Sequence, residues 1–177
     1  MYKRQHADLL GEQFDELHNW GLSGLGNRAI CERLSECIIH NQFTTDDVII
    51  VQWTDFHRYD WHDTDSFGEF CNWRTGGNIW SKPVEIEWIK DTWNEFSYTL
   101  HSMNFIHLGN QLTKHLPCKV YHTSMLDYKP ILTNTPFEKY LSVIDSNWIT
   151  DFTTFCQRHN YKGVEHRQSY FDEIVKN

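Results

Sequence analysis

The sequence predicts an α/β domain with a mainly parallel sheet flanked by helices. Three observations carry that expectation. Asp47-Val-Ile-Ile-Val-Gln-Trp-Thr-Asp55 holds an apolar, β-branched run of strand length. Apolar residues at helical spacing frame it, over residues 27–40 and again from 83 to about 115. A second strand-like piece, residues 118–123, follows the longer helical stretch, and no hairpin signal joins the strands.

The elements follow in order. Leu9, Leu10, Phe14 and Leu17 sit at helical spacing within residues 5–17, with acidic residues between them. A short extended piece at 18–20 leads into a Gly-rich turn at 21–26. The helix over 27–40 should bury Ile30, Leu34, Cys37 and Ile38. Thr44-Thr45-Asp46-Asp47 breaks it, and residues 48–53 read as a strand buried on both faces. Residues 54–82 are rich in Asp, Gly, Trp and His without a sustained period, the pattern of a binding loop or lid.

Pro83 suits the first turn of the next helix. Ile86, Ile89, Trp93, Phe96, Leu100 and Met103 make one stripe along it, and Leu116-Pro117 stops it. After the second strand, Pro130 and Pro136 punctuate a connection. Short helices are expected at 137–143 and 149–158, and a last helix from about residue 168 carries Tyr170, Phe171, Ile174 and Val175.

A chain of 177 residues fits one domain spanning 1–177. With 40% hydrophobic and 23% charged residues it has the balance of a folded rather than a disordered chain. The formal charge of −8 argues against a nucleic-acid backbone or an anionic membrane as partner. No apolar run approaches the roughly 20 residues of a membrane span. Met1 is followed by no signal-type stretch, and the five scattered cysteines form no CxxC pair, so free thiols in the cytoplasm are expected.

In an open α/β sheet, ligands and reacting groups collect at the carboxyl ends of the strands. Two segments lead there. One is Asn19-Trp-Gly-Leu-Ser-Gly24, a tight turn running into a helix, which by itself is also an ordinary helix-capping turn. The other is the 47–55 run with Arg58 beyond it; Arg58 is expected to pair with Asp55 or Asp60 and order the site. His57, Asp60, His62, Asp63 and Asp65 hold metal-ligand chemistry. A spacing of five between the histidines fits neither a helix face nor alternate strand positions, so a polar acidic loop is the simpler account. Trp61, Trp73 and Trp80 either anchor that loop or wall a groove for an acyl or sugar group.

Asn19-x-Gly21-x-Ser23-Gly24, followed by Asn27 and then Asp47-Val-Ile-Ile-Val-Gln-Trp-Thr with Arg58, resembles the second and third blocks of the SGNH/GDSL hydrolases. The likeness is to the form found in phage and other viral genomes. Its specific motifs lie between Asn19 and Arg58, while its topology covers most of the chain. The resemblance implies a three-layer α/β/α flavodoxin-like domain and acyl transfer by a serine nucleophile. Carried over, Gly24 is the backbone oxyanion donor, Asp55 stands at the third-block Asn position, and His166 is the base. Ser23, Asn27, Arg58 and Trp53 belong to the binding region.

The nucleophile block of that family would lie about 30 residues ahead of Gly24, before Met1, which implies a truncated or inactive form. The family's Asp-x-x-His is here Gly163-Val-Glu165-His166, so the orienting acid is not carried over. The implied substrate is a small-molecule or glycan ester such as an O-acetyl group. No cofactor is required, and a viral protein would act in the host cytoplasm. Two further readings stand beside this one: a non-catalytic binding or virion-assembly module on the same fold, and metal-assisted hydrolysis through the 57–65 cluster.

Overall fold

The computed structural model describes residues 14–21, 24–62, 73–78, 94–144, 148 and 151–158. The chain is a mixed helix and strand protein with a small parallel sheet, an α/β arrangement. Helix α1 spans Asn27–His40 and strand β1 spans Val48–Trp53. Ile30 N–H donates to Gly26 O at 3.1 Å to start α1, and Asn41 ends it by donating its backbone N–H to Cys37 O. Leu34 is buried, while Ile30 and Ile38 are partly buried against the core. Residues 14–17 are irregular rather than helical, and the rest of the expected first helix lies outside the described residues.

Strand β1 alternates instead of being buried on both faces. Ile49, Val51 and Trp53 are buried, and the residues between them are half-buried. Each fully buried side chain of this size contributes about 1.5–3 kcal/mol relative to exposure. The other face is less covered because the parallel sheet described here has only two strands, β1 and β4, Lys119–Ser124. They pair in register from Val48↔Lys119 to Trp53↔Ser124. His122 also forms an isolated parallel bridge with Trp148 on the far edge of β4.

The expected loop over 54–82 contains an antiparallel pair. Strand β2, Arg58–His62, pairs with β3, Trp73–Asn78, with an irregularity between Arg58 and Asp60. Gly76, Gly77 and Asn78 are poor strand formers, so pairing rather than intrinsic preference defines β3.

Helix α2 spans Glu95–Thr113 and begins later than its apolar stripe suggests. Asn94 is extended, and its Oδ1 accepts the Ser97 N–H at 3.1 Å, a side-chain cap that fixes the start. Residues 82–93 of the expected helix lie outside the described residues. Phe96, expected in the stripe, is 52% exposed, and its ring packs tilted against that of Phe137, the centroids 4.8 Å apart. Met103 and Ile106 face inward. Short helices α3 (Lys129–Leu132), α4 (Leu141–Ile144) and α5 (Phe152–Arg158), with a 3₁₀ turn at Glu138–Tyr140, complete the described chain. The expected last helix from about residue 168 lies outside the described residues.

Helix α1 packs on α2 and on β1. Trp53 fills the junction, fully buried, because Gly109 of α2 leaves room for its ring: a Cβ there would lie 2.5 Å from Trp53 Cη2. Its indole Nε1–H donates to His122 Nδ1 at 3.1 Å. His122 Nε2 is 3.0 Å from Thr113 Oγ1, which donates to Gly109 O at 3.1 Å. Accepting at Nδ1 puts the imidazole proton on Nε2, so a neutral His122 satisfies both its own ring nitrogens, with Trp53 donating to one and Thr113 accepting from the other. Burial pushes the His122 pKa down to about 4. Among the described residues, no helix is long and apolar enough to cross a membrane.

Candidate functional site

The carboxyl edge of the parallel pair is where β1 passes into Thr54 and Asp55, and β4 into Met125. Met125 N–H donates to Trp53 O at 3.0 Å, carrying the pairing one step past the strands. The turn ahead of α1 approaches this edge. Asn19 Oδ1 accepts the Gly21 N–H at 2.9 Å, an Asx turn. Arg33, buried in α1, donates from Nε to Trp20 O and lies over the Trp20 ring at 5.8 Å. Gly24 has φ 88°, a left-handed conformation that glycine adopts without steric cost.

Asn27 joins turn and strand. Its Nδ2 donates to Thr54 O at 3.1 Å and its Oδ1 accepts Thr54 N–H at 2.9 Å. The side chain thus completes both backbone groups of a residue just beyond the strand end, where no ladder remains to do so. Tyr128 Oη–H also donates to Thr54 O. Tyr128 is buried, and burial holds its phenol protonated by raising its pKa.

Asp60 occupies the start of α1. Its Oδ1 accepts Gly26 N–H at 2.7 Å and its Oδ2 accepts Ala29 N–H at 3.3 Å. Gly26 itself is no side-chain cap, so a carboxylate from β2 supplies the missing acceptors at the positive end of the helix. A Cβ on Gly26 would lie 2.5 Å from Asp60 Oδ2, so the close approach requires glycine. Burial raises the Asp60 pKa; the two backbone hydrogen bonds, and then the charges of Arg58 and Arg28, oppose that rise.

Asp55 and His57 form the exposed part of the edge. Asp55 Oδ1 accepts from His57 Nδ1 at 2.9 Å and from His57 N–H at 3.1 Å. The two side chains are 32% and 28% exposed. Asp55 therefore orients an imidazole, and its carboxylate is an acceptor rather than the oxyanion donor implied at that position.

Several expectations change. Arg58 opens β2 and favours ionised Asp60 through its charge, but among the described residues it forms no ion pair with Asp55 or Asp60. Trp53 belongs to the core and not to a binding surface, because the helices enclose it completely. Asn27 is a buried clamp on Thr54. Of the 57–65 cluster, His57 turns to Asp55 and Asp60 to α1, so the two do not converge; Asp63 and Asp65 lie outside the described residues. Among the described residues no group of three such side chains is arranged to hold a metal ion. Ser23, Glu165 and His166 also lie outside the described residues, as does Trp80.

Sequence reasoning missed His122, Thr113 and Tyr128. Nothing in the spacing of eleven histidines marks His122, although a histidine within a β-branched strand-like segment is a cue to a satisfied buried imidazole. An open cleft of about 320 Å³ adjoins the edge past β4, lined by Ser124, Tyr128, Lys129, Trp148, Asp151 and Arg158 among others. No family model, curated protein or solved structure matches this chain.

Proposed function

We propose that the chain is an SGNH/GDSL-like acylhydrolase domain, acting on a small-molecule or glycan ester at the carboxyl edge of its parallel sheet. The observation that carries this reading is the Asn27–Thr54 clamp. It holds the left-handed Gly24 turn and the end of β1, the two segments that carry the family resemblance, at one edge. An acyl transfer there would use a serine nucleophile, a histidine base and backbone donors for the tetrahedral oxyanion. The full reading includes the three-layer flavodoxin-like architecture, with β1, β4 and the Trp148 bridge as part of its central sheet.

A second reading, a non-catalytic binding or assembly module, is favoured by a specific observation. The Gly26 and Ala29 amides at the start of α1 already serve Asp60, which leaves the Gly24 amide without these two neighbours as further oxyanion donors. Hydrolysis of p-nitrophenyl acetate together with covalent labelling by a fluorophosphonate separates the two. Turnover with labelling of a serine is the result the acylhydrolase reading expects. Neither turnover nor labelling would leave the binding module in its place.

A further inference from the structure

We infer that the cleft past the end of β4 is a binding site for an uncharged, hydroxyl-rich ligand of the sugar class. The inference rests on the edge location that both readings above share, and not on hydrolysis.

The cleft lies where open α/β sheets take their ligands, outside the carboxyl end of a strand. Its volume of about 320 Å³ is at the small end of ligand pockets and suits one small molecule rather than a long chain. Two of its lining residues are polar, buried and fixed: Ser124, the last residue of β4, and Tyr128. Tyr128 Oη–H is committed to Thr54 O. Ser124 Oγ–H donates to Leu126 O, so the serine oxygen offers its lone pairs as acceptors.

Charge decides the ligand class. Asp127 and Asp151 line the cleft together with Lys129 and Arg158, two carboxylates against two cations. That balance gives neither a phosphate nor an ammonium group a net field to follow. Each carboxylate uses Oδ1 to accept a nearby backbone N–H, Asp127 from Lys129 at 2.9 Å and Asp151 from Thr154 at 2.8 Å. Their second oxygens add acceptor capacity. Lys129, which forms no ion pair among the described residues, adds donors. Donors and acceptors in one small cleft are matched by hydroxyl groups, each of which both gives and takes hydrogen bonds. An acyl chain would strip water from them and return nothing.

Trp148 supplies an independent observation. Its indole Nε1 is buried and has no hydrogen-bond partner among the described residues, a costly state for a donor. An acceptor oxygen brought by a ligand is what this wall residue lacks. Its ring is held 6.2 Å from that of His122 and 5.8 Å from that of Tyr128. With Leu141 and Ile144 it forms the apolar share of the lining, which suits the C–H face of a sugar ring.

The test is saturation-transfer NMR on the full chain with N-acetylglucosamine, glucose and galactose, and with inorganic phosphate and free glycine as charged comparisons. At least one sugar should show transfer, and the charged compounds should not. Trp148→Phe keeps the ring and removes the donor, and Lys129→Ala falls at an exposed position; circular dichroism checks that both fold. Each should weaken the Kd of that sugar about 2- to 10-fold, the worth of one hydrogen bond. Absence of transfer to every sugar overturns the proposal. So does transfer that neither substitution reduces, which puts the sugar elsewhere on the chain, and so does transfer to phosphate or glycine alone. Since p-nitrophenyl acetate carries no sugar, its turnover judges the acylhydrolase reading separately. Turnover without sugar binding removes only the assignment of this cleft, and sugar binding without turnover removes only hydrolysis.

Discussion

The side chain of Asn27 exchanges two hydrogen bonds with the backbone of Thr54, 27 residues further along the chain. The amide behaves as one more strand residue would, at the place where β1 has run out of neighbours.

Replacing Asn27 tests that relationship. Asn27→Ala leaves the buried Thr54 N–H without its partner and Thr54 O with Tyr128 alone, and should cost about 1–3 kcal/mol. Asn27→Asp keeps the acceptor for Thr54 N–H but sets a carboxylate against Thr54 O, and should cost more than alanine at pH 7. Urea unfolding of both variants measures the order. An aspartate variant as stable as the parent would show that the clamp is not closed in solution.

Gly109 is the second test. Alanine favours a helix interior by about 1 kcal/mol over glycine. Here its Cβ would lie 2.5 Å from Trp53 Cη2, and forcing the ring aside should cost about 1–3 kcal/mol. Packing should win, so Gly109→Ala lowers the unfolding midpoint and shifts the Trp53 emission. A gain in stability would mean that the ring moves freely.

His122 predicts an acid-sensitive core. Its folded pKa, about 4, lies below the ordinary 6.5, so the unfolded chain takes up a proton that the folded chain refuses. The stability that neutral His122 provides is fully present above pH 6.5 and is lost as pH falls towards 4. The loss is about 3 kcal/mol in order of magnitude. His122→Phe should be less stable at pH 7, since Trp53 Nε1 loses its acceptor, yet should lose less between pH 7 and 4.5. Equal acid sensitivity in urea titrations of the two proteins would remove His122 as its source.

Asp60 sets two opposing effects against each other. The carboxylate is costly to bury, but it caps two amides of α1. Removal of a good helix cap costs about 0.5–2 kcal/mol. Asp60→Ala should therefore destabilise the chain at neutral pH, with α1 fraying first in amide exchange. Unchanged stability would mean that the cost of burying the charge cancels the cap.

Much of the local structure was legible in the sequence. The period of residues 27–40 and the β-branched run at 48–53 coincide with α1 and β1 because both elements bury one regular face. Pairing of β1 with β4 followed from the alternation of helix and strand. The pair β2–β3 was harder to see: Tyr59 and Trp61 do alternate with Arg58, Asp60 and His62, but five residues are too few to stand out beside the Asp- and Gly-rich stretch that follows. The start of α2 depended on the Asn94 cap and not on the apolar stripe that runs through it. At the edge, the turn and Asp55 were marked by pattern. Their partners were not, because Asn27–Thr54 and Gly26–Asp60 are single polar contacts across 27 and 34 residues, for which no periodicity exists.

Asp60 has one more consequence. By accepting the Gly26 and Ala29 amides, it sets a carboxylate of the chain itself against the positive pole of α1 before any guest arrives. A phosphate monoester, which would seek such a pole, finds a resident anion there, with Asp55 close by in sequence on the same edge. An uncharged acyl ester, the substrate class proposed above, would meet no such rival there.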